Sequence, residues 1–69
     1  MDELTKMVED EPMLKWFAYE HLPERLKEVS MPFSFLARRI VESIPRSAER
    51  TVALRKLLES KDAAVRASL

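Results

Sequence analysis

Lys15, Trp16, Phe17 and Tyr19 fall within five positions and include the chain's only Trp and only Tyr. Rings and cations in that combination can stack planar bases and hold phosphates. The same rings can instead pin the N-terminal segment onto the rest of the fold, the ordinary use of large aromatic side chains. Further along, Phe35 lies about 100° around a helix from Leu36 and shares a face with Arg39 at i, i+4, with Arg38 adjacent. A large aromatic beside arginines on an outer face suits either a ligand or a subunit contact. Lys61 falls in register with Leu54, Leu57 and Leu58, where an apolar residue is expected. A carboxylate on another subunit, a snorkelling stem or an anionic ligand would each account for it.

Other chemistry finds little material. His21 is the only His, and with Glu24 it offers two metal ligands where a site needs three or four. There is no Cys, so thiolate sites and disulfides are absent. Surface carboxylates abound, but no nucleophile has an evident base. Gly is absent as well, which removes phosphate loops, dinucleotide fingerprints and nucleophile elbows together. These residues point to no metal, no cofactor and no enzyme.

The elements that must position these residues are helical. The chain has 69 residues, enough for one small domain with a marginal core, and such chains commonly gain stability by oligomerising. Four prolines, at 12, 23, 32 and 45, divide it, and no alternating run is long enough for a half-buried strand. Residues 2–10 read as a short acidic helix with Leu4, Met7 and Val8 on one face. Residues 13–19 form a second short segment. Pro23 opens the next helix, which carries Leu22, Leu26 and Val29. At Pro32 the pattern allows two outcomes: a new helix capped by Ser30, or one helix with a kink. Phe33, Leu36, Ala37, Ile40, Val41 and Ile44 then form an apolar stripe, and Pro45 stops the helix. Ser47 caps the last helix, residues 48–68, whose stripe is Leu54, Leu57, Leu58, Ala64 and Val65. The short connection at residues 44–47 makes the two helices antiparallel neighbours. The fold class is all-α: a short N-terminal helical segment, then an antiparallel αα-hairpin with a Pro-kinked first helix. Leu36, Ile40, Leu54 and Leu57 are expected in the core.

Lys plus Arg and Asp plus Glu number 12 each, so the net charge is zero and a polymeric nucleic-acid partner is not expected. No stretch is apolar for long enough to span a membrane, and the acidic start is unlike a signal peptide, so a cytoplasmic protein without a membrane partner is expected.

The ordered segments WFAYEHLPE, VSMPFSFLARRI and ESIPRSAERTVALRKLLESKDAAVRA resemble the phage anti-CBASS cyclic-oligonucleotide sponges. The matches are Phe17, Tyr19, His21 and Pro23, then Leu36, Ala37 and Ile40. Pro45, Ser47 and Glu49 follow, then Ala53, Leu54, Lys56, Leu57, Ala63 and Ala64. The likeness covers residues 16–67 of a single domain and leaves 1–15 as an N-terminal extension. It implies a homohexamer built as a trimer of dimers, acting inside the infected bacterial cell. Such a protein would bind cyclic dinucleotides, and in some members cyclic trinucleotides, and sequester them uncleaved. It also implies that Tyr19 stacks on ligand bases. Ser34 stands where the family usually has a phosphate-binding Lys, Ser30 where an Arg is frequent, and Glu20 is an insertion. The candidate ligand-binding set is Tyr19, Phe17, His21, Pro23, Ser34, Arg38, Arg39, Lys61 and Arg66. The rival reading is a small helical oligomerisation or protein-interaction module.

Overall fold

A computed structural model describes residues 11–69. The acidic helix expected at residues 2–10 lies outside them. Among the described residues the protein is all-helical. A 3-10 helix, Pro12–Phe17, precedes two α-helices, α1 (Glu24–Ser43) and α2 (Ala48–Ala67), which pack as a hairpin. None of them is long and apolar enough to cross a membrane.

The 3-10 helix has Pro12 in its first turn, where a missing N–H costs nothing. With three residues per turn, Leu14 and Phe17 eclipse one another, and both are buried. Trp16, one residue earlier, is turned by about 120° and lies exposed. The extended backbone of Pro23 then leads into α1.

Of the two outcomes allowed at Pro32, the structure takes the continuous helix: α1 runs unbroken from Glu24 to Ser43. Pro32 is exposed, and lacking an N–H it leaves the Glu28 carbonyl without its helical donor. Ser30 is therefore an interior residue, fully buried, with no partner for its Oγ.

The buried line of α1 is Leu26, Ser30, Ser34 and Ala37. This corrects the expected stripe. Leu36 is 51% exposed and Ile44 is 43% exposed. The centre of the buried face is one residue, about 100°, away from Leu36, on a line of small side chains. Small residues let a second helix approach closely, and Leu54 of α2 and Phe17 of the 3-10 helix fill the space. The core is Leu14, Phe17, Ala37 and Leu54, flanked by partly buried Phe33, Ile40, Val41, Leu57 and Leu58. Leu54 thus sits where the pattern placed it, while Ile40 and Leu57 lie at the core's margin.

The connection between α1 and α2 follows from Pro45 and Ser47. Pro45 has no N–H for the Val41 carbonyl, and Ile44 turns extended before it. Arg50 supplies replacement donors from α2: its Nη1 lies 2.9 Å from the Ile44 carbonyl and 3.4 Å from that of Val41. Ser47 caps α2, its Oγ accepting from the Arg50 backbone N–H at 3.0 Å. No described residue has positive φ, so the turn needs no glycine.

Candidate functional site

A groove of about 440 Å³ runs between the 3-10 segment and the C-terminal half of α2. That volume is within the ~300–1,000 Å³ range of small-molecule sites. One wall is Lys15, Trp16 and Ala18, continued by His21 and Leu22. The opposite wall is Lys61, Asp62, Val65 and Arg66, on successive turns of α2. Trp16 is 58% exposed, and Lys15 Nζ lies over its ring, 5.0 Å from the centroid. The Lys61 side chain is 13% exposed and its Nζ meets Asp62 Oδ1 at 3.0 Å. Arg66 is exposed in the last turn of α2, the end at which a helix favours cations. Lys15, Lys61 and Arg66 therefore lie with one carboxylate, Asp62, around an indole and an imidazole.

The arrangement suits an anion that also has a flat, apolar portion. A planar base can lie against Trp16 while phosphates meet Lys61, Arg66 and Lys15. Among the described residues no group of three or more His, Asp or Glu side chains is placed to hold a metal ion.

Of the residues singled out from sequence, the groove brings together Lys15, Trp16, His21, Lys61 and Arg66. The others lie elsewhere. Phe17 is 1% exposed and belongs to the core, so it presents no ring to a ligand. Ser34 is buried within the α1 face. Tyr19 is half-buried and packs edge-to-face on Phe35, with ring centroids 6.3 Å apart and an interplanar angle of 88°. Arg38 is half-buried, and Arg39 and Pro23 are exposed, all outside the groove. The Phe35 ring, expected off the core stripe, is 48% exposed.

Two features were not anticipated. One is that, of the aromatic cluster, Trp16 and not Phe17 or Tyr19 supplies the groove's ring, although Trp16 stood outside the candidate ligand-binding set. The adjacency of Trp16 and Phe17 held a signal for this, since neighbouring residues on a tight helix cannot both face the core. The other is a buried ion pair, Glu11 Oε1 to Arg50 Nη2 at 2.8 Å, between residues 39 positions apart. No spacing rule connects two residues so far apart.

No family model matches the chain, and no curated protein and no solved structure matches it.

Proposed function

We propose that the protein binds cyclic oligonucleotide second messengers and sequesters them without cleavage, as a self-associated assembly in the cytoplasm of an infected bacterial cell. The observation that carries this reading is the groove, which sets an exposed indole among three cations on two facing walls. Cyclic dinucleotides and trinucleotides combine planar bases with permanently charged phosphodiesters, the two chemistries that those walls supply. The resemblance of residues 16–67 to the phage sponges supports the same ligand class and a hexameric assembly. Sequestration rather than turnover is the reading carried over from the resemblance to the sponges.

Calorimetric titration with a panel of cyclic di- and trinucleotides tests the proposal. At least one member should bind, and denaturing the complex should release it intact. A silent panel, or recovery of linear product above a protein-free control, overturns the reading.

A second reading has its own observation. Phe35, Leu36, Ile44 and Val52 are large apolar residues left 43–51% exposed. Such exposure suits a module that binds other helices. A silent panel together with a helical protein partner captured through these residues would favour it.

A further inference from the structure

The segment carrying Trp16 is joined to the hairpin by apolar packing, by the Tyr19–Phe35 edge contact and by an ion pair. Leu14 and Phe17 give it apolar packing, which has no directional preference. Glu11 gives it a directional tie, the 2.8 Å bond to Arg50, with side chains only 12% and 7% exposed. This is a hydrogen-bonded ion pair between residues 11–22 and α2. Arg50 is itself held on the hairpin by the Ile44 and Val41 carbonyls, so its guanidinium is a fixed point. Neither Glu11 nor Arg50 lines the groove. Trp16 follows Glu11 by five residues, about 10 Å along a 3-10 helix.

We infer that the Glu11–Arg50 pair positions the Trp16-bearing wall, so that an ion pair outside the groove sets whether its two walls face each other. Leu14, Phe17 and the Tyr19–Phe35 contact hold the segment on the hairpin, while the charge pair fixes its first residue to a single partner atom. Removing the Glu11 carboxylate leaves a buried guanidinium short of an acceptor. Water then reaches Arg50, and the start of the segment lifts with Lys15 and Trp16. The consequence for a nucleotide rests on the function proposed above; the placement of Trp16 is a property of the free protein.

Trp16 is the only Trp, so its fluorescence reports this wall alone. The experiment compares quenching by iodide and by caesium. Facing Lys61 and Arg66, Trp16 should be quenched by the anion in preference to the cation. Replacing both Lys61 and Arg66 by Ala sets the ratio expected when the opposite wall carries no charge. Glu11→Ala should lower the iodide-to-caesium ratio about twofold, to that value, because the cations then lie beyond effective screening distance. The far-ultraviolet helical signal should be retained. Glu11→Gln keeps an acceptor oxygen for Arg50 and should lie nearer the parent. A parent-like ratio in Glu11→Ala overturns the inference. Loss of helical signal in Glu11→Ala also overturns it, by making the pair a support of the whole fold. A parent protein that binds no cyclic nucleotide removes the proposed function but leaves this outcome standing, because the quenching is read without ligand.

Discussion

Leu54 and Leu36 are the same side chain in opposite surroundings, 0% and 51% exposed. Leu54→Ala should cost ~2–5 kcal/mol in urea unfolding, the range for a large core truncation. Leu36→Ala should change monomer stability by less than about 0.5 kcal/mol, as surface substitutions do. The hydrophobic pattern treated the two alike because it marks apolar positions, while the centre of the α1 face is held by Ser30, Ser34 and Ala37. Polar Ser at a buried position carries the wrong sign for such a pattern, so that face was not legible. The aromatic residues separate in a similar way. Trp16→Ala should weaken cyclic-nucleotide binding about 5–150-fold, the equivalent of ~1–3 kcal/mol for one base–aromatic stack. Tyr19→Ala removes the edge contact with Phe35, outside the groove. Titrating both variants locates the ligand: a loss confined to Tyr19→Ala would move the site from the groove to the Tyr19–Phe35 edge. His21, Lys61 and Arg66 could be nominated from the sequence, Lys61 because it breaks an apolar register. That Lys15, Trp16 and His21 stand opposite Lys61 and Arg66 depends on tertiary packing between distant segments, which local spacing does not encode.

The helices themselves were the most legible part of the molecule, and local physics explains why. Pro23, Pro45 and Ser47 act on their own neighbours, so the start of α1, its end and the cap of α2 can each be read within a few residues. Ser47→Ala should destabilise the protein by ~0.5–2 kcal/mol, because the Arg50 backbone N–H would lose its 3.0 Å partner. Differential scanning calorimetry would register this as a lower Tm, and an unchanged Tm would mean that water replaces the cap. Pro32 was ambiguous because proline serves both a first turn and a kinked interior. Its place inside α1 gives the opposite expectation. Pro32→Ala restores a donor for the Glu28 carbonyl at an exposed site and should stabilise by up to ~3 kcal/mol. A lower Tm in that variant would show that the helix depends on the shape proline gives it. The N-terminal segment was legible as short and helical. Its 3-10 winding followed from burying Leu14 and Phe17 at a spacing of three.

As a whole the described chain is a slab with extents of 34 × 28 × 15 Å. Its thin dimension leaves the hairpin uncovered on part of its surface. Phe35, Leu36, Ile44 and Val52 are the apolar residues left open by this shape. Self-association is expected to cover part of that surface, and sedimentation equilibrium at micromolar protein should show a species heavier than one chain. Leu36→Ala should then shift the equilibrium toward monomer while leaving monomer stability nearly unchanged. A parent protein that sediments as a folded monomer would remove the assembly from the reading. The turn between the helices bears on how this chain can tolerate change. Loop theory puts the entropic cost of doubling a flexible connection at only ~0.6 kcal/mol, so a hairpin turn is ordinarily a good place for added residues. Here Arg50, three residues beyond the α2 cap, closes the Val41 and Ile44 carbonyls at the end of α1. Extra residues after Pro45 would carry Arg50 away from those carbonyls and from Glu11 together. Insertions are therefore expected to be rejected at the turn and accepted between residues 18 and 22, where the backbone makes only local bonds.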